Sequence, residues 1–185
     1  MAHPNILDRS KAALLLVDIQ EAFRSAIGDF AVAASRAAMA VRGFQVLDVP
    51  IFVTEQYPKG LGRTAEEIML TLPADFDFIE KTAFSSCGAE QLVDGLNAAN
   101  IEQVVLCGFE AHVCVNQTAH DLLERGFQVH LLTDSVASRF DHDRTAGIAK
   151  MLASGVISSS VEMSLFELMR DAKHEKFKEI QSIIK

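Results

Sequence analysis

AALLLV, residues 12–17, is apolar at all six positions. A strand with one wet face alternates apolar and polar side chains, whereas a strand covered on both faces does not have to. The stretch therefore reads as a buried central strand, with Asp18 directly at its end. Working outward, short apolar runs alternate with longer helical patterns. Residues 30–47 are Ala-rich and carry apolar side chains at Ala34, Ala37, Ala38, Val41 and Phe44, the spacing of a helix face. IFVT follows Pro50 as a second strand. Residues 77–80 are expected to form a third, QVVLC (103–107) a fourth, 128–132 a fifth and 155–158 a short sixth. Helices are expected over 65–70, 90–99 and 112–125, and then from an Asp141 or Asp143 cap to about residue 152. Two more helices close the chain. Strands alternating with helices require crossover connections, so the expected fold class is α/β: a doubly wound, mostly parallel sheet with helices on both faces.

The 185 residues fit one domain, 1–185. Half are apolar (49%) and the net charge is −8, which argues against nucleic acid as a partner, because phosphate binding is driven by Lys and Arg. The segment MAHPNILDRSK lacks the apolar core of a secretory signal, and 12–17 is far shorter than the ~20 residues a membrane helix needs. The expectation is a cytoplasmic protein with no membrane partner. Cys87, Cys107 and Cys114 are odd in number and show neither disulfide nor zinc-ribbon spacing.

In a doubly wound sheet, ligands bind beyond the carboxyl ends of the strands. Asp18 follows the first strand, Lys81 the third, and Cys114 lies at the first turn of the helix after the fourth. The topology brings all three to one sheet edge. A thiol needs a base, a nearby cation or a helix N-terminus to become a nucleophile, and these residues supply each. Each also has an ordinary structural explanation: a turn-capping aspartate, a surface lysine, a packing cysteine.

Three segments carry a resemblance. VDIQEAF around Asp18, EKTAFS around Lys81 and LCGFEAHVCVNQTAHDLLERGFQVHLLTDSVASR around Cys114 are similar, in order and over nearly the whole chain, to the signature blocks of the isochorismatase-like cysteine hydrolases. TEQYPKGLG and HEKFKEIQSIIK resemble more closely the isochorismatase domain-containing protein subgroup. The resemblance implies a catalytic triad of Asp18, Lys81 and Cys114. It implies a six-stranded sheet of order 3-2-1-4-5-6 and a tendency to form homo-oligomers. It also implies a non-proline cis peptide before Glu110, which would aim the Glu110 N–H into the site. With the Cys114 N–H this makes an oxyanion hole, worth ~3–4 kcal/mol per donor.

Nicotinamidases in the superfamily hold a metal through an Asp and two His after the second strand. Here that segment is VTEQYPKGLGRT, and no histidine occurs between His3 and His112. Glu55 alone is a poor zinc site. No catalytic metal and no cofactor are expected. True isochorismatases often lack the cysteine, so Cys114 favours acyl transfer from a small-molecule amide, imide or carbamoyl compound. Gln20, Phe23, Gln56, Tyr57 and Phe84 are the candidate substrate-binding residues. His112, two positions from Cys114 on a helix, points elsewhere. The competing readings are a non-catalytic scaffold on the same fold, isochorismatase- or nicotinamidase-type activity, and a nucleotide-binding flavodoxin-like domain. The last lacks a Gly-rich phosphate loop after the first strand.

Overall fold

The structure is a computed structural model and describes residues 3–185. Six strands form one parallel sheet in the order β3-β2-β1-β4-β5-β6, as expected: β1 Ala12–Val17, β2 Ile51–Gln56, β3 Ile79–Lys81, β4 Gln103–Phe109, β5 Gln128–Ala137 and β6 Ile157–Ser159. Among the described residues the α-helices are α1 Phe30–Val46, α2 Pro58–Leu61, α3 Glu66–Met69, α4 Glu90–Ala98, α5 Asn116–Glu124, α6 Asp141–Ala153, α7 Val161–Met169 and α8 Phe177–Ile184.

The two-residue period of β1 splits the core. Ala12, Leu14 and Leu16 join α1, α7 and α8 on one face; Ala13, Leu15 and Val17 join α4, α5 and α6 on the other. Each fully buried leucine contributes about 1.5–3 kcal/mol of burial energy. The terminal helix packs on its own chain, with Ile180 fully buried in the α1 cluster. Strand order reverses between β1 and β4, so the crevice lies beyond Val17 and Phe109. There β4 runs so close to β1 that a Cβ on Gly108 would collide with the Val17 backbone, and its φ of 132° suits only glycine.

Several local expectations are corrected. The third strand includes Lys81 rather than stopping before it. The fifth is twice its expected length, because the polar groups of Thr133 and Asp134 find partners: the Thr133 hydroxyl donates to Ser159 O, and the Asp134 carboxylate accepts from the first N–H of α7. Neither Asp141 nor Asp143 caps α6. Both lie in its first turn, where their charge suits the helix dipole. Arg125, just after α5, donates to the Asp121 carbonyl.

His130 is buried in β5. Burial pushes its pKa down to about 4, so it stays neutral in the fold. Below about 6.5 the unfolded chain takes up a proton that the native state refuses, so stability must fall as pH drops from 6.5 toward 4. Between pH 7 and pH 5 this costs roughly 1–2 kcal/mol. His130→Gln should lose less stability than wild type over that interval in urea melts; parallel losses would show that His130 is not responsible.

Candidate active site

Asp18 leaves β1 in a left-handed conformation (φ 53°) and is fully buried. Its carboxylate accepts from Lys81 Nζ at 2.6 Å on Oδ2 and from the Thr54 hydroxyl at 2.8 Å on Oδ1. The Lys81 ammonium also donates to Gln56 Oε1 at 2.7 Å and approaches the carbonyls of Phe84 (3.0 Å) and Ala83 (3.2 Å). Four oxygens surround three N–H donors, so the lysine is held as a fixed, hydrogen-bonded cation.

The third member arrives from β4. The Phe109–Glu110 peptide is cis, and Ala111–Val115 form a π-helical turn before α5 begins. The sequence pattern showed one continuous helix here; the wider turn is where Cys114 sits. Its thiol lies near the Asp18 carboxylate, close enough for each group to shift the other's proton affinity. On the outer side the turn is pressed by α6, where a Cβ on Gly147 would stand 2.8 Å from the His112 Cα. Glu110 Oε1 accepts from both the backbone N–H and Nε of Arg139, each at 3.0 Å, which ties this corner to the end of β5. Asp18, Lys81 and Cys114 therefore meet, all at most 6% exposed.

The electrostatics correct one expectation. The thiol is not acidified. Burial, followed by the adjacent Asp18 charge, outweighs Lys81 and pushes Cys114 up to about 12. Lys81 is committed to Asp18 and its ring of oxygens. Burial in turn lifts the Asp18 carboxyl above the ordinary carboxylate range, against the opposing pull of Lys81 and Thr54. The resting pair is a neutral thiol beside a carboxylate made more basic by its surroundings. Cys107, inside β4, is raised beyond reach by complete burial, and Cys87 is pushed up to about 11 by the same cause.

The residues expected to bind substrate divide. Gln20 is fully buried and committed to loop backbone: Nε2 donates to the carbonyls of Gln56 and Gly62, and Oε1 accepts from the Gln56 N–H. It ties loops together and offers no surface. Phe23 is half-buried against the α1 core. Gln56 holds Lys81 on one side and Thr82 O on the other. Tyr57 and Phe84 are each 55% exposed. A cavity of about 400 Å³ is lined by Tyr57, Lys59, Lys81 and Thr82 among others; Asp18, Phe84 and Cys114 lie outside its lining. A larger one of about 610 Å³ sits at the opposite strand ends, against Lys11, Gln103 and Gln128, remote from this chemistry. The Glu55 carboxylate is occupied by the Thr64 N–H and hydroxyl and by Arg63. His112 turns to the Ser138 hydroxyl at 3.0 Å. Among the described residues, Asn116 Oδ1 is the one buried side-chain oxygen or nitrogen without a partner.

Sequence reasoning missed Thr54, Ser86 and Thr118, which support Asp18 and the loop after β3. Their one visible signal was hydroxyls flanking otherwise apolar elements.

The sequence model of the isochorismatase domain matches residues 12–163. The chain belongs to the isochorismatase domain family. Its relatives in that family include isochorismatase domain-containing protein 2 of Danio rerio, 40% identical over 185 residues, covering 100% of this chain and 92% of the relative. Isochorismatase domain-containing protein 1 of Salmo salar is 44% identical over 168 residues; the match covers 91% of this chain and 59% of that longer relative. A solved structure named MAR1 ribonuclease, from Caenorhabditis elegans, superposes with a TM-score of 0.92 at 37% identity, over 97% of this chain and 92% of that one. The fold is that of an isochorismatase-family hydrolase, with the sheet order given above.

Proposed function

We propose that this protein is a metal-independent cysteine hydrolase that cleaves a C–N bond of a small amide, imide or carbamoyl compound. The observation that carries the reading is the Asp18 carboxylate, buried between Lys81 and the Cys114 thiol and made more basic by burial. Asp18 takes the thiol proton as sulfur attacks the carbonyl carbon. The N–H groups of Glu110 and Cys114 receive the charge on oxygen. The C–N bond then breaks, the leaving nitrogen collects the proton from Asp18, and an acyl thioester remains. Asp18 next deprotonates water; hydroxide adds to the thioester, the acid departs, and the proton returns to sulfur. Lys81 keeps Asp18 ionised between steps. Tyr57 and Phe84 border the entry, and assembly into homo-oligomers fits the family.

A thiol at about pKa 12 holds a negligible thiolate fraction at neutral pH, so its reactivity must depend on the base. Asp18→Asn separates two roles of opposite sign. If Asp18 were only a repelling charge, removing it would speed alkylation of Cys114 by iodoacetamide at pH 7.5. As a base, its removal slows labelling at least tenfold, read by peptide mass spectrometry. Faster labelling in the variant would refute the mechanism, and a Cys114 inert in wild type would favour a scaffold. The substrate class is tested by a panel of amides, imides and carbamoyl compounds, with isochorismate, nicotinamide and a short RNA alongside. The net charge of −8 disfavours the RNA. Hydrolysis confined to the C–N substrates is expected; cleavage of the RNA or isochorismate alone would overturn the assignment.

A further inference from the structure

Asp18 uses both carboxylate oxygens. Lys81 supplies charge to Oδ2, while Thr54 supplies direction to Oδ1. The single Thr54 hydroxyl proton is given to Asp18, so the Thr54 oxygen accepts from the Ser86 hydroxyl, 3.2 Å away. The Ser86 backbone N–H then donates to Thr118 Oγ1 at 2.8 Å. Thr118 lies in α5, four residues on from Cys114. Thr54, Ser86 and Thr118 are all fully buried. A buried hydroxyl costs free energy unless it is partnered, so three of them in line between a sheet and a helix are a specific arrangement rather than core filling.

We propose that Thr54, Ser86 and Thr118 form a positioning relay that ties the Asp18 carboxylate to α5, the helix continuing from the π turn that carries Cys114, and sets the direction from which the base meets the thiol. The proposal rests on the reading of Asp18 as the base. None of the three residues touches the sulfur or a substrate; they act through Asp18 and α5. The relay runs through all the relevant elements: Thr54 from β2, Ser86 from the turn after β3, Thr118 from α5. The charged and titratable groups around the base are Lys81 from β3 and Cys114 from the π turn, with Glu110 adding negative potential at the sulfur. The Thr54 hydrogen bond opposes burial and holds the Asp18 carboxyl down.

The experiment is the pH dependence of Cys114 labelling by iodoacetamide in the intact protein, read by peptide mass spectrometry from pH 4 to pH 9. In wild type the rate falls on the acid side as Asp18 takes a proton. Thr54→Val removes one neutral hydrogen bond to the carboxylate, so its acid limb should move up by about half to one pH unit. Thr54→Ser keeps the hydroxyl and should restore the wild-type limb. Thr118→Val does not touch Asp18; it should leave the limb in place and lower the plateau several-fold by loosening α5. Ser86→Ala should move the limb in the same direction as Thr54→Val by a smaller amount, and it serves as the test if Thr54→Val does not fold. A lower melting temperature in Thr54→Val with an unmoved limb would mean that Thr54 is only structural, and the relay is then wrong. A limb displaced equally in Thr54→Ser overturns it as well. A wild-type profile with no acid limb sinks the base reading itself, and the relay falls with it.

Discussion

Cys114→Ala should lower hydrolysis of any accepted substrate by at least ~10³-fold, because in the proposed mechanism the sulfur is the group that bonds to carbon. The fold should persist. The lost sulfur sits beside Asp18 in a site that is only just closed to solvent, with Cys114 6% exposed. Deleting one small buried group costs roughly 1 kcal/mol, and a chain of this length loses about 2–4 °C of Tm per kcal/mol. Single-turnover assays beside a melting curve separate the two effects. Turnover near the wild-type rate in a well-folded variant would remove sulfur from the chemistry. Loss of activity together with gross unfolding would make Cys114→Ser the variant to read.

The second large effect concerns stability. Lys81→Met removes the cation from a carboxylate that has no access to water. Breaking a buried pair on one side costs about 3–5 kcal/mol, here on the order of a 10 °C loss in Tm. The sign of its pH dependence follows from the proton balance. Without Lys81, the folded-state pKa of Asp18 rises further above its unfolded value. Between those two values the native state binds more protons than the unfolded chain, so stability falls as pH rises. The deficit of Lys81→Met should therefore be largest at neutral and alkaline pH and shrink toward pH 4. Asp18→Asn combined with Lys81→Met removes both charges and should recover part of the loss, a coupling that a double-mutant cycle measures. A deficit that is flat in pH, with no recovery in the double variant, would show that the pair does not hold the site together.

The mostly parallel sheet and the gathering of three residues at one edge were legible from gross pattern, whereas the strand order came with the family resemblance. Six all-apolar positions in β1 demand cover on both faces, and crossover topology then carries Asp18, Lys81 and Cys114 to one edge. What was hidden depends on where a side chain's hydrogen bonds go. Gln20 looked like a pocket residue because it lies two positions after Asp18, yet its amide closes on the loop backbone. Thr54 looked like an unremarkable strand residue and instead touches Asp18. The thiol's proton affinity was misread because sequence shows the neighbouring cation but not the desolvation around the sulfur. The π turn was invisible because a single widened turn leaves the helical repeat of apolar residues intact on either side.

Gly147 gives α6 an unusual place in the mechanics of the molecule. Backbone meets backbone where α6 crosses the π turn, and no side chain lies between them to act as a cushion. A push on the outer surface of α6, from a neighbouring protomer or a bound molecule, would reach the sulfur's segment undamped. Tuning of reactivity from a distance thus has a short route available, through direct backbone contact.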